Sequence, residues 1–484
     1  NKNLSIKQNE SLILQAAIFL SGAILAHMSS VHFSGTKARL PVIPSFKPEK
    51  NAVTVKLKQK PFPPTSLRFI SLSKARTNAS NYDSSSQESR ADKEGNKSFW
   101  GAVGLIIGTA IGPGMLGLPA KTLKSGIFLS TSVIILCWVY VITSIVLIAE
   151  LSFSAMEEEG VSEVSFTGLA TKAFGNQAGG LIAVVYACLN FSLIIACVSG
   201  IGSVLSQCFP IINKFIAYGI IPSLVGTLVL LFPFTAIDNF NRIICFLMLC
   251  SLTVLVVTGF PVARSNLISS TSLSPSISSI LPAIPVAVLT LGFHVITPFV
   301  CKMAGSHAIK AVLLGGTAPL VMVLLWNMIV LGLSRADFTV PVKDPISLLL
   351  AINPSILPAL KGFAFSALAT SLIGYTVSFP KQLLDTWKLI FDQERYNMDS
   401  SNPKLLTFLV LAMATSICSF FPSSFSKALD FAGIYGNCFL FGMLPPAMAY
   451  VQQSRTKIRL SVVPGGQFTL LLLFLAAVIL GIWH

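Results

Sequence analysis

Charge is what this sequence has least of. Only 11% of its 484 residues are Asp, Glu, Lys or Arg, where a soluble domain carries about a quarter. Fifty-three per cent are hydrophobic, and the mean hydropathy is +0.75. A chain so composed cannot hide its apolar surface in a water-soluble core, so its solvent is the bilayer. Catalytic signatures are missing too. There is no HExxH and no GxSxG, and three of the five histidines, His27, His32 and His484, fall near the start or at the last residue, which argues against an integral-membrane enzyme. No ring of charge or repeated filter sequence marks a channel. The nine cysteines all follow residue 136, form no CxxC and keep no metal-like spacing to histidine. Most lie in apolar runs (Cys137, Cys188, Cys197, Cys245, Cys250), as small buried hydrophobes do.

The formal charge of +15 is uneven. Residues 1–97 hold 15 Lys/Arg against 6 Asp/Glu, and the remainder 19 against 13. With no basic-aromatic platform in the body, nucleic acid is not an expected partner. The first 97 residues are rich in Ser, Lys, Arg and Pro, with only Glu10 and Glu49 acidic before Asp83. That composition is how an organellar transit peptide reads, and the hydroxyl bias favours a plastid. The apolar stretch "SLILQAAIFLSGAILAHM" (11–28) leaves a secretory signal or an anchor as the other reading.

From residue 98 onward, apolar segments near 99–119, 127–153, 180–207, 215–234, 242–263, 281–300, 308–333, 357–379, 404–421, 428–450 and 466–483 are each about long enough to cross a bilayer. This predicts an all-α polytopic membrane protein of eleven helices. Fourteen Lys/Arg then flank the membrane on the side of the leader and eight on the other, which predicts that the N-terminus is inside, the stroma if the membrane is a plastid's.

Two spans are interrupted. "GTAIGPGMLGLP" (108–119) concentrates Gly112, Pro113 and Gly114 in mid-span. Proline lacks an N–H and clashes with the preceding turn, while glycine lets the chain leave helical geometry. In hydrocarbon such a break is tolerated only where protein or a water-filled cavity surrounds it. It leaves N–H groups and a positive dipole end near the midplane, which suits a carboxylate. Close packing is the competing explanation for Gly104, Gly108 and Gly112, spaced by four, although it leaves Pro113 and Pro119 unexplained. The sixth span, "LPAIPVAVLTLGFHVITPFVCKM" (281–303), is interrupted at Gly292 and Pro298, with His294 between. Interrupted spans at corresponding positions of two halves point to a secondary transporter's site. Spans one and six are five apart, as two inverted five-helix repeats (98–264 and 281–450) require, with 466–483 an added helix.

"GTAIGPGMLGLP" together with "LGFHVITP" resembles the aromatic amino-acid permeases, the tryptophan and tyrosine permeases of bacteria, within the amino acid/polyamine/organocation superfamily. Their first helix carries G-T-x-I-G-A-G-M-L-x-L-P and their sixth G-F-H. This sequence departs at Pro113, where the family has Ala, and at Val295 to Thr297. The resemblance runs from about Ser98 to the C-terminus and matches in eleven spans. It implies the leucine-transporter-like fold and proton-coupled uptake of tryptophan or tyrosine, and the leader, which it does not cover, suggests a plant plastid relative. It implies that the backbone of Gly108, Thr109, Ile111, Gly112 and Gly114 cradles the substrate carboxylate, and that carbonyls around Gly292, Phe293 and His294 accept from the ammonium.

No cofactor is expected beyond a coupling ion. Ionisable groups within a membrane are functional suspects. His294 carries the coupled proton or contacts substrate as a neutral ring, and Glu150 relays protons or reaches to the interface. Sodium-coupled relatives of the fold use hydroxyls on span eight, where Ser366, Thr370 and Ser371 lie. Tyr186 and Phe363, with Phe293, are candidates for an apolar gate. Asn190 and Asn327 are expected to bond neighbouring helices, and "MEEEGVSEVSFTGLATKAFG" (156–175) to form a solvated loop followed by an interfacial helix. The segment 381–397 is amphipathic and is expected to lie along the membrane. A sodium-coupled or broader neutral amino-acid carrier, and a non-transporting sensor of the same fold, are the alternatives.

Overall fold

The computed structural model describes residues 99–269, 277–333, 357–391, 403–421, 424–455 and 466–483, so the reading of 1–97 as a leader lies outside the described residues. Helices account for nearly all of them. Span one is α1 (Phe99–Ala110) and α2 (Pro113–Thr122), and span two is α3 (Gly126–Glu159). A short α4 (Phe166–Phe174) precedes α5 (Asn176–Cys208), α6 (Lys214–Leu231) and α7 (Phe234–Ser269). Span six is α8 (Ile284–Leu291) and α9 (Thr297–Ala304), followed by α10 (Ala308–Leu333), α11 (Leu357–Phe391) and α12 (Pro403–Phe420). Span ten comprises α13 (Ser424–Phe431), a widened π-helical stretch (Ala432–Met443) and α14 (Leu444–Arg455), and α15 (Gly466–Trp483) is the eleventh.

Among the described residues, seven continuous apolar helical stretches are long enough to cross a membrane, accompanied by the shorter apolar helices Phe99–Ala110, Lys404–Phe420 and Gly466–Gly481. Two of the seven, Pro113–Glu159 and Leu281–Gly332, run to 47 and 52 residues, about twice what one crossing takes. Each reverses at a turn whose glycine has positive φ, Gly126 (70°) and Gly305 (51°), a conformation open to glycine at little cost. Counting the arms separately, and α1 with α2 as one crossing, gives the eleven segments that hydropathy marks.

The polar contacts respect the resulting alternation. On the side where α1 begins, here proximal, Lys302 pairs with Glu163 at 2.5 Å and Lys172 with Glu158 at 2.8 Å. On the opposite, distal side, Lys121 at the end of α2 pairs with Asp430 of α13 at 2.7 Å. Span one therefore crosses from proximal to distal and span six from distal to proximal, the opposite sense that an odd repeat of five produces.

The core lies where the broken spans meet their neighbours. α2 packs on α8, both pack on α3 and α10, and beside them α11 packs on α5 and on α7. Buried hydrogen bonds join the layers. Thr122 Oγ1 donates to Asn327 Oδ1 (2.6 Å), and Asn327 Nδ2 donates to Ser130 Oγ (3.2 Å), tying spans one, two and seven. Asn190 of α5 donates to Gln382 of α11. α4 is preceded by Ser165, whose Oγ accepts from the Gly168 N–H at 3.0 Å, the cap a helix start prefers. Of the amphipathic segment 381–397, residues 392–397 lie outside the described residues, and 381–391 are helical. They continue α11 without interruption through Pro380.

Candidate functional site

Both interruptions are real breaks. α1 stops at Ala110, Gly112 is extended (φ −155°, ψ −168°), and α2 starts at Pro113 with no side-chain cap. Proline suits this first helical position, because its fixed φ is helical and the N–H it lacks would go unbonded there anyway. Met115 N donates to Gly112 O at 3.2 Å. In span six α8 stops at Leu291, Gly292 is extended (φ −82°, ψ 125°), and one tight turn, His294–Ile296, leads into α9. Thr297 Oγ1 and Ile296 N both donate to Phe293 O, at 3.2 and 3.3 Å.

The two breaks are pressed together. A Cβ on Gly114 would lie 2.6 Å from Thr290 Oγ1, and Thr290 Oγ1 is itself held by Val286 O at 2.6 Å. A Cβ on Gly117 would meet Leu429 of span ten at 2.5 Å, and one on Gly292 the Val288 carbonyl at 3.0 Å. Gly114 and Gly117 thus admit close approach of spans six and ten, whereas the carbonyl facing Gly292 belongs to its own helix. Gly104 and Gly108 do not act this way: both are exposed on α1, and a Cβ added to either would have nothing within 4 Å. The spacing of four is present, but no helix packs on that ridge among the described residues.

Of the residues singled out from sequence, Ile111 and Gly114 are buried, Gly112 is half-buried and Thr109 is exposed, its Oγ1 donating to Leu105 O and Ile106 O. Ser371 Oγ donates to Ile111 O at 3.3 Å, so span eight touches the first break there. Ser366 and Thr370 instead donate to carbonyls of their own helix, Gly362 and Ala367. Phe293 turns towards span seven, where its ring would lie 3.2 Å from a Cβ on Gly316. Phe363 is fully buried against Trp326, ring centroids 4.7 Å apart, which is core packing. Tyr186 is half-buried on α5, and Glu150 is half-buried on α3, next to Ala149, whose carbonyl meets Cys301 Sγ at 3.9 Å.

His294 is the outlier. It is wholly buried, its ring lies flat on that of Phe441 (centroids 4.6 Å apart, 2° between planes), and neither ring nitrogen has a hydrogen-bond partner. Phe441 belongs to the widened stretch of span ten, "AGIYGNCFLFGM". Sequence reasoning passed over this stretch and its Asn437, which is also wholly buried with both side-chain polar atoms unpartnered. Its three glycines in twelve residues, with one amide among apolar neighbours, are the signal that was available. A separate cleft at the proximal ends of α3, α4 and α14, lined by Leu151, Glu158, Lys172, Met448 and Gln452, lies away from the breaks.

The arrangement offers a helix N-terminus at α2 and a helix C-terminus at α8 side by side. Dipole and unbonded N–H groups at the first favour an anion, and carbonyls at the second favour a cation. A zwitterion fits such a pair without any buried charged side chain. The model of the tryptophan/tyrosine permease family matches residues 95–484. This chain belongs to that family. The permease is similar to the tyrosine-specific transport system 2 of Haemophilus influenzae, 26% identical over 80% of this chain and 95% of the relative. It is similar too to the tryptophan-specific transport protein of the same organism (25%; 77% and 91%) and to the low affinity tryptophan permease of Escherichia coli K12 (24%; 81% and 96%). Among solved structures it resembles the manganese transporter of Eremococcus coleocola in complex with an aromatic bis-isothiourea substituted compound, with a TM-score of 0.54 at 15% identity over 80% of this chain and 85% of that one. A likeness at that identity concerns fold alone. It is the leucine-transporter-like fold of two inverted five-helix repeats, to which this permease adds an eleventh helix. Membership places the chain among transporters rather than enzymes.

Proposed function

We propose that this permease is a secondary active transporter of aromatic amino acids, tyrosine or tryptophan among them, driven by a proton gradient across a plastid membrane. The observation that carries the reading is the contact of the two breaks, with Gly114 against Thr290 and the unpartnered His294 beside them. The names of the bacterial relatives supply the substrate class. The carboxylate sits at the N-terminus of α2, on the backbone of Gly112 and Gly114. The ammonium sits by the last carbonyls of α8 around Leu291 and Gly292. Because these groups belong to half-helices, a small tilt of α1–α2 and α8–α9 against the α5–α7–α11 scaffold exposes the site to one side at a time.

The coupled proton is assigned to His294, whose ring can accept one when water enters with the opening site. Ser371 Oγ on Ile111 O is the observation that favours sodium instead. Residues 1–97 are read as a plastid leader, from their Ser-rich, basic composition, with the membrane domain beginning at 98 and its N-terminal side facing the stroma. Uptake of labelled tyrosine and tryptophan into proteoliposomes under an imposed pH or sodium gradient tests this. The expected result is accumulation driven by the pH gradient and abolished in His294→Ala. Sodium-driven accumulation that survives His294→Ala would overturn the coupling assignment, and no uptake under either gradient would overturn the substrate.

A further inference from the structure

Among the described residues, the wholly buried side chains with every polar atom unpartnered include His294, at the second break, and Asn437. Burying an amide without hydrogen bonds is costly, and such groups normally find partners. Packing on either side fixes where Asn437 lies. One turn before it, a Cβ on Gly433 would be 3.2 Å from the Pro285 backbone at the start of α8. One turn after it, Phe441 stacks on His294 just beyond the end of α8. Asn437 therefore occupies the face of span ten that runs along α8, between its start and the break. A Cβ on neighbouring Gly436 would lie 2.8 Å from Leu189 of span three, and Leu429 of α13 faces Gly117 of α2. The widened geometry of 432–443 belongs to a helix that contacts both broken spans. Such local widening often accompanies a functional position.

We infer that Asn437 is a substrate-contacting residue that reads the polar group of the aromatic side chain, its Oδ1 accepting from an indole N–H or a phenol O–H. This rests on the proposed aromatic substrate. The amino and carboxyl ends are met by backbone at the breaks, which leaves the ring to extend along α8 towards span ten. Asn437 lies on that side of α8, with both side-chain polar atoms unpartnered. A site built to bond an N–H or O–H rejects the analogue lacking it, because its own polar group is then left unpaired. Asn437 would so distinguish tyrosine and tryptophan from phenylalanine.

The test is binding of the three amino acids to the purified full-length permease, followed by ligand-induced thermal shift, in wild type, Asn437→Leu and Asn437→Asp. Leucine is close in volume and has no hydrogen-bonding atoms, while aspartate keeps an oxygen acceptor in place. Asn437→Leu is expected to weaken tyrosine and tryptophan roughly 10- to 100-fold while phenylalanine binds as in wild type or better, and Asn437→Asp to retain most of the preference. Phenylalanine binding by Asn437→Leu also reports that the variant is folded. Equal weakening of all three ligands would mean that Asn437 supports the helix or holds a water, and would overturn the inference. So would unchanged preference in Asn437→Leu, or its loss in Asn437→Asp as complete as in Asn437→Leu. A wild type that binds none of the three would remove the proposed substrate class, and this inference with it.

Discussion

Gly114→Ala is the sharpest perturbation of the site, because one methyl separates the two half-helices. The added Cβ would lie 2.6 Å from Thr290 Oγ1, 3.4 Å from Thr290 Cα and 3.5 Å from Thr290 Cβ. Only the first contact is impossible. Thr290 can clear it by turning about χ1, giving up its 2.6 Å bond to Val286 O, or α2 and α8 can separate by several tenths of an ångström. Overpacking of this kind costs about 1–3 kcal/mol, and a lost neutral hydrogen bond about 0.5–1.5 kcal/mol. If the strain falls on the substrate-bound arrangement, transport drops roughly 10- to 100-fold at about 1.4 kcal/mol per factor of ten. Thr290→Ala removes Oγ1 and leaves contacts of ordinary length, so Gly114→Ala/Thr290→Ala should recover most of the lost transport. The coupling between the two substitutions is expected at about 1–3 kcal/mol, within the range for residues in contact. Initial uptake rates and melting temperatures for the four members of the cycle measure it. Wild-type transport by Gly114→Ala, or additive losses in the double variant, would refute the idea that α2 and α8 must touch here.

Two further predictions concern the ends of the site. Lys121 and Asp430 clamp the distal end of α2 to span ten, at 2.7 Å and only partly exposed. Asp430→Asn should increase labelling of a cysteine introduced at Gly112 by distal, membrane-impermeant reagents, whereas Lys121→Asp/Asp430→Lys should restore protection; unchanged labelling in Asp430→Asn would show that the pair does not close the site. At the proximal end, a hydrogen bond from Lys172 lowers the pKa of Glu158, while Lys172 itself is raised, its bonds to Glu158 and Glu159 outweighing the burial that works against its charge. The carboxylate's contribution is present above its unfolded pKa and is lost as pH falls through the lowered folded value. The ammonium's is present below its unfolded pKa and is lost as pH rises through the raised one. Docking of α4 on α3 should therefore hold across neutral pH and loosen only in acid, as pH falls below the usual glutamate range, seen as faster amide exchange in 166–174. Lys172→Met should show the faster exchange already at neutral pH, and an unchanged profile in that variant would contradict the assignment.

Much of the fold was legible because the bilayer demands long apolar runs and punishes irregular backbone. The eleven crossings follow from hydropathy, and both breaks from Gly112–Pro113–Gly114 and from Gly292 with Pro298, since a glycine-proline cluster in hydrocarbon must be housed by other parts of the protein. Direction around a helix was not legible. Gly104, Gly108 and Gly112 share a spacing, yet only at Gly112 would a Cβ meet a neighbour within 4 Å. Phe363 on α11 looked like a possible gate, but it fills a core position beside Trp326. The segment after Pro380 has the periodicity of a surface helix and still continues α11, because that pattern describes its faces and not what precedes it. Asn437 was missed for a related reason. One amide in a hydrophobic span is common glue between helices, and only the absence of any partner, visible once the neighbours are placed, sets it apart from Asn190 and Asn327, which are bonded.

The most direct test of the account is the location of the substrate, by cryo-electron microscopy of the permease with tyrosine bound. The account predicts density between the two breaks, with the carboxylate at the Gly112–Gly114 end of α2, the ammonium by Leu291 and Gly292, and the ring along α8 towards Asn437. Tyrosine bound elsewhere, for instance in the proximal cleft beside Glu158 and Lys172, with the breaks unchanged and empty, would contradict it.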